Sequence, residues 1–135
     1  MTRHDPILTA MAAMPAMVTS AEVVRRFNDA FGRGDIDLVM ALSTDDTVLE
    51  TTLPKPDGER LVGQAAVRRY WAAFFRGTAD GRFETEELLE AGDRCVVRWV
   101  FSWAETDGRR GHVRGVDVFR VRDGKVAEKL VYVKG

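Results

Sequence analysis

Residues 113–134 alternate apolar and polar positions in two β-branched runs on either side of Asp123-Gly124. That pattern predicts a β-hairpin. Residues 83–91 and 95–105 read as two earlier strands, and 110–122 and 125–134 as the hairpin arms, with Gly92-Asp93, Asp107-Gly108 and Asp123-Gly124 as the turns. Upstream the apolar spacing becomes helical. Thr19-Ser20-Ala21-Glu22 is a capping box, after which Val23 or Val24, Phe27 and Phe31 recur on one face until Gly32 and Gly34 end the helix. Asp35 caps a second, short helix carrying Ile36, Val39, Met40 and Leu42. Residues 47–52 read as a strand and 53–59 as a loop with Pro54, Pro56 and Asp57-Gly58. Residues 63–75 form a third helix, with Val67, Tyr70, Trp71, Phe74 and Phe75 clustered. This order predicts an α+β domain: a curved, mostly antiparallel sheet wrapped on three N-terminal helices. Such a cone leaves a cavity, a usual place for a small ligand.

The helical signal at Thr19 divides the chain. Residues 1–18 read as an N-terminal extension, helical or disordered, and 19–135 as one domain. Met17 lies just before the capping box, so whether residues 1–17 belong to the native protein is left open. Asp5-Pro6 would start a helix with an Ile7, Leu8, Met11 and Met14 stripe.

One residue breaks the strand pattern. Asp117 shares its predicted face with Phe119 and Val121, where an apolar side chain is expected. A carboxyl there loses its water, which disfavours its charged form. It must be paired, protonated or in a pocket.

Composition narrows the partners. The 135 residues are 45% hydrophobic and carry a net charge of -1, enough apolar material for one core and no basic field for nucleic acid or an anionic membrane. Arg109, Arg110 and Arg114 read as solvated surface. Cys95 is the single cysteine, so no internal disulfide forms, and its apolar neighbours suggest a buried structural thiol. The two histidines, His4 and His112, lack carboxylates at ligand spacing, so no metal site is expected. No cofactor is expected either. No apolar run reaches membrane-spanning length, and Arg3, Asp5 and Pro15 make a poor signal peptide. A cytoplasmic location is expected.

Four local marks carry a family likeness. They are Ala30-Phe31-Gly32-Arg33-Gly34-Asp35-Ile36, Asp45-Asp46-Thr47-Val48, Leu61-Val62-Gly63, and Val116-Asp117-Val118-Phe119-Arg120 with Asp123-Gly124-Lys125-Val126. Over about residues 19–134 the chain resembles the nuclear transport factor 2-like, or SnoaL-like, superfamily of cystatin-like α+β cones. Ketosteroid isomerases, limonene epoxide hydrolases and SnoaL-type polyketide cyclases belong to it. The resemblance implies a proton-handling role for Asp117, which falls where the isomerases keep an oxyanion-hole Asp and the cyclases an acid/base Asp. It also implies differences. Phe27 stands where the isomerases keep a Tyr, and Thr51, beside Glu50, stands where they keep the general base. The epoxide hydrolase set is missing, because the strand reads Arg98-Trp99-Val100 and the last strand offers Val131.

Register decides what Asp117 meets. A two-residue turn at Asp107-Gly108 places Arg98 directly opposite it, a charge-assisted pair. A two-residue turn at Asp123-Gly124 places Glu128 diagonally, whereas a three-residue turn with a bulge at Gly124 places Lys129 on that face. Catalysis, ligand binding without chemistry and a structural ion pair all stay open for Asp117. Arg98, Glu50, Tyr70, Trp71, Phe27, His112 and Phe119 are the candidate ligand-binding residues. Trp99, Phe101 and Trp103 alternate on one face. On the convex side they would form a stripe that a homodimer through the sheet would cover. The leading expectation is a binder of a compact apolar carbonyl or hydroxyl compound, an acid/base cyclase or isomerase if it is an enzyme. The alternative is a noncatalytic dimeric interaction or ligand-sensing module.

Overall fold

The computed structural model describes residues 18–78 and 80–135. The N-terminal extension expected from the sequence lies outside the described residues, apart from Val18.

The helices are α1 (Ser20–Gly32), α2 (Ile36–Ala41) and α3 (Gln64–Gly77), and the strands are β1 (Ser43–Glu50), β2 (Arg60–Val62), β3 (Arg82–Ala91), β4 (Arg94–Ala104), β5 (Arg110–Arg122) and β6 (Lys125–Val133). The capping box at the head of α1 forms as its spacing predicts: the Thr19 hydroxyl accepts from the Glu22 N–H, and the Glu22 carboxylate accepts from the Thr19 N–H. Glu90 adds a carboxylate at the same helix start, accepting the Ala21 N–H at 2.6 Å and the Ser20 hydroxyl at 3.1 Å. Those two bonds hold the Glu90 carboxyl below its usual range. Val23, Val24, Phe27, Ala30 and Phe31 form the buried face of α1.

The six strands form one sheet in the order β2-β1-β6-β5-β4-β3, antiparallel except where β1 runs parallel to β6. Its inner face meets the helices. Phe27 packs edge-on to Phe119 at 5.7 Å between ring centroids, and Phe31 packs edge-on to Trp71 at 4.7 Å. Burying each such ring contributes about 1.5–3 kcal/mol.

β2 is not predicted from the sequence, because its three residues carry too little pattern to register as a strand. Leu61-Val62 pairs with Val48-Leu49. The first strand also starts four residues earlier than expected, at Ser43.

Two turns set the geometry of the site. The β4–β5 connection runs from Ala104 to Arg110, closed by the Glu105 N–H to Arg109 carbonyl bond at 2.6 Å, with Gly108 at φ 86°. It is therefore longer than a two-residue turn, and the register moves by one. Val97, not Arg98, faces Asp117; Arg98 faces Val116. The expected Arg98–Asp117 pair is absent for that reason, since a one-residue slip sends a side chain to the other face.

The β5–β6 turn is the two-residue turn that the sequence allows, with Asp123 at φ 54°, Gly124 at φ 72° and Arg122 opposite Lys125. Yet Lys129, not Glu128, reaches the inner face. The register shifts between the Val121–Val126 and Arg120–Glu128 pairs, leaving Ala127 as an extra residue. Val126 and Ala127 are consecutive and both buried, as a bulge requires. From the sequence, Lys129 on this face requires a three-residue turn. The bulge instead sits three residues past the turn and does the same work.

Candidate functional site

The concave face of the sheet and the faces of α1 and α3 enclose a cavity of about 250 Å³. Its wall is mostly apolar and half aromatic, with Phe31, Tyr70, Trp71, Phe74, Trp99 and Trp103 among the lining residues. Trp99, Phe101 and Trp103 therefore point inward, which corrects the notion of a convex stripe awaiting a partner. Glycines opposite them on β5 make the room. Gly115 faces Trp99 and Gly111 faces Trp103, and each indole lies where a side chain on the glycine would stand.

Into this apolar wall β5 and β6 project one acid and one amine. Asp117 and Lys129 both line the cavity and are both buried, with side chains 8% and 7% exposed. Lys129 Nζ lies 3.7 Å from Asp117 Oδ2. It also lies 4.2 Å from the centroid of the Phe31 ring, 4.7 Å from Trp71, 5.4 Å from Phe27 and 5.7 Å from Phe119. Those ring faces favour the ammonium. Burial works the other way, pushing the Lys129 amine down and the Asp117 carboxyl up, while each partner's charge opposes the other's shift. Both displacements run toward a neutral acid beside a neutral amine. The pair also borders a second, smaller pocket of about 60 Å³ against Asn28 and Thr85.

Among the described residues five buried side-chain polar atoms make no hydrogen bond, and two of them belong to residues that line the cavity. Asp117 Oδ1 and the Trp99 indole N–H are both buried and unpartnered, and both residues line the cavity. A buried polar group without a partner is costly, and the two lie beside one another: the Trp99 indole N–H is near enough to the Asp117 carboxyl to oppose its rise.

The other candidates are distributed as follows. Tyr70 and Trp71 line the cavity. Burial pushes the Tyr70 phenol up, helped by the nearby charge of Glu59. Phe27 and Phe119 do not line it; they are core residues, 2% and 0% exposed, that form the floor beneath the Lys129 ammonium. Arg98 is on the outer face of the sheet, paired with Glu87 at 3.3 Å. His112 is exposed opposite Ser102, on strand faces away from the cavity. Glu50 pairs with Arg60 at 2.9 Å and borders an open groove with Lys55 and Tyr132 that adjoins the cavity along Thr51, Thr52, Val131 and Val133. Thr51 does line the cavity, but its hydroxyl donates to the Leu53 carbonyl and accepts the Glu59 N–H, so it is committed to shaping the loop. Arg98, His112, Glu50, Phe27 and Phe119 are thus not brought into the cavity with Asp117. Cys95 is buried in the core, with its thiol 3.5 Å from the Ser20 hydroxyl. Among the described residues no three His, Cys, Asp or Glu side chains gather as a metal ion would need.

Lys129 was the residue that sequence reasoning left out of its candidate set. A signal was present: the chain has sixteen arginines but only four lysines, Lys55, Lys125, Lys129 and Lys134. Lysine can lose its proton when buried and arginine cannot. Lys55, Lys125 and Lys134 are exposed.

The sequence matches the SnoaL-like domain over residues 24–129. The chain belongs to the SnoaL-like family of the nuclear transport factor 2-like superfamily. It is 40% identical to a nuclear transport factor 2-like protein of unknown function from Mesorhizobium loti, over 86% of this chain and 91% of that one, with a TM-score of 0.73. A protein from Jannaschia sp. CCS1 that bears the name of SnoaL-like polyketide cyclases is 18% identical over 89% and 90% of the two chains, with a TM-score of 0.75. TerC, co-crystallised with polyporic acid, is 20% identical over 85% and 91%, with a TM-score of 0.71. At these lower identities the likeness is one of fold. No curated protein matches the sequence. Among the described residues no helix is long and apolar enough to cross a membrane.

Proposed function

We propose that the cone binds a compact, largely apolar carbonyl compound and handles a proton at its carbonyl oxygen or the carbon beside it. The observation that carries this reading is Asp117 Oδ1, an unpartnered carboxyl oxygen inside an aromatic cavity. In its protonated form Asp117 donates a hydrogen bond to the ligand oxygen, and the Trp99 indole N–H is a second donor to the same space. Polarising the carbonyl in this way acidifies the adjacent C–H bonds; with the Trp99 N–H on the oxygen, Asp117 in its carboxylate form takes the proton from carbon and, after exchange with solvent, returns a proton or deuteron to it. The aromatic walls match an apolar body and exclude water, which strengthens both hydrogen bonds. The chemistry is acid/base work of the kind expected of an isomerase or a cyclase. A steroid-isomerase mechanism is not supported, because Phe27 has no hydroxyl to donate and the Thr51 hydroxyl is held by the loop.

Acetophenone tests the reading. In D₂O the protein should accelerate exchange of the methyl protons for deuterium, and Asp117→Asn should abolish the acceleration while the fold melts cooperatively. Saturable binding that the variant leaves unchanged, with no exchange, would remove Asp117 from the site.

A further inference from the structure

The proposed function uses the carboxyl; the amine beside it has no role there. Lys129 is an unusual occupant of such a wall. A salt bridge needed only for structure would sit as well with arginine, whose guanidinium is more weakly hydrated and pairs bidentately. The chain supplies arginine at most of its other cationic positions. Here β6 inserts a bulge at Ala127, and that bulge brings this one lysine inward.

We infer that Lys129 is a nucleophile that condenses with the carbonyl carbon of an aldehyde or ketone bound in the cone, forming an imine. The inference rests on the binding reading above and extends it from holding a carbonyl to bonding with it. The geometry has three parts. The amine borders the cavity. An acid stands 3.7 Å from it. Four aromatic rings surround the Nζ position, with centroids from 4.2 to 5.7 Å away. Burial supports the same end, because it lowers the affinity of the amine for a proton and so exposes its lone pair.

The steps balance with no outside reagent. The Nζ lone pair bonds to the carbonyl carbon while the carbonyl oxygen takes the Asp117 proton, giving a carbinolamine with a cationic nitrogen. That nitrogen returns a proton to the Asp117 carboxylate. Asp117 then donates it to the hydroxyl, the C–O bond breaks, and the oxygen leaves as water. What remains is a cationic iminium beside an Asp117 carboxylate, the same charges as an ammonium–carboxylate pair. The rings that face the ammonium face the iminium in turn. Where the ligand has an α-hydrogen, the Asp117 carboxylate is placed to remove it and form the enamine.

The test is reductive trapping on the intact chain with benzaldehyde and sodium cyanoborohydride, followed by peptide mapping. Lys129 should carry the benzyl group in preference to the three exposed lysines and every other amine. Lys129→Arg, which keeps the charge but has no nucleophilic amine, should lose the label from that peptide. Asp117→Asn should slow the labelling. Labelling confined to exposed amines, with benzaldehyde still quenching tryptophan fluorescence saturably, would overturn the imine. Acetophenone exchange would in that case still support the acid/base reading. If neither carbonyl probe binds, both readings fall. The mapping on the unaltered protein decides the matter even if a variant fails to fold.

Discussion

Lys129 Nζ and Asp117 Oδ2 stand 3.7 Å apart inside an aromatic box, although their positions are not opposite one another in the strand register. Phe119 faces Lys129, and Asp117 faces Val131. The two groups meet diagonally across β5 and β6. Burying such a pair costs desolvation energy on both sides, and the mutual attraction returns only part of it. The pair is therefore poorly explained as a device for stability.

Single and double substitutions should separate the terms. Lys129→Met or Asp117→Asn alone leaves one buried group without its partner and should destabilise the fold by about 3 kcal/mol at neutral pH. The double variant, with Met and Asn together, should come within about 1 kcal/mol of the natural protein or exceed it. Urea melts of the four proteins measure this. A double variant as damaged as the sum of the singles would mean that the pair is a net stabiliser.

The pH dependence has a worked sign. The Asp117 carboxyl is raised above its ordinary 3.8, so between 3.8 and its raised value the folded chain holds a proton that the unfolded chain has released. Stability falls as pH climbs through that window. The Lys129 amine is lowered from its ordinary 10.5, so between its lowered value and 10.5 the unfolded chain holds a proton that the folded chain has lost. Stability rises with pH through that second window. Relative to the double variant, the natural protein should be least favoured in the middle range and should recover toward both extremes. Paired melts across pH give the difference curve. A curve highest in the middle range would reverse both assigned directions.

Much of this was legible in the chain. Asp117 stood out because a single carboxyl interrupts an otherwise apolar strand face, and period alone reveals that. The hairpin turn at Asp123-Gly124 was equally clear, since both residues tolerate positive φ. The partner of Asp117 was not legible, because one extra residue at Ala127 reverses the facing of every residue after it, and neither Val126 nor Ala127 advertises a bulge. Trp99 was seen as part of a stripe, but which side of the sheet it occupied depended on the length of the Glu105–Arg109 loop. Asp107-Gly108 suggested two residues where the closing bond runs from Glu105 to Arg109.

The outer face of the sheet carries the case for self-association, now on other residues than the tryptophans. Leu89, Val96, Val118 and Leu130 are consecutive partners across β3, β4, β5 and β6, so they form one apolar row, and Leu89 is 54% exposed. Tyr132, also 54% exposed, extends it. A second copy of the chain would cover this row. Light scattering at micromolar concentration should give twice the chain mass, and Leu130→Lys should give the chain mass with its melting behaviour largely kept. A monomeric natural protein would end the proposal.

The final prediction concerns how the cavity is shaped. Gly115 and Gly111 each lie beneath an indole, but they are not equivalent. A Cβ on Gly115 would fall 2.4 Å from the Tyr132 carbonyl oxygen and 2.5 Å from Trp99 Cζ2. The first of these is backbone of the neighbouring strand, and Trp99 is itself 6% exposed, so neither can give way freely. The atoms nearest a Cβ on Gly111 all belong to the Trp103 side chain, from 2.6 Å. Trp103 is half-buried, with one end of its indole tied to Glu105 at 3.0 Å, so it has room to turn. Gly115→Ala should therefore destabilise the fold by about 1–3 kcal/mol, as overpacking does, and Gly111→Ala by clearly less. Because the Trp99 indole N–H lies beside the Asp117 carboxyl in the cavity, displacing it should also weaken acetophenone binding in Gly115→Ala more than in Gly111→Ala. Thermal melts and a fluorescence titration of the two variants measure both effects. Equal losses in the two would mean that the strands relax around the added methyl groups and that the indole positions are not set by the glycines.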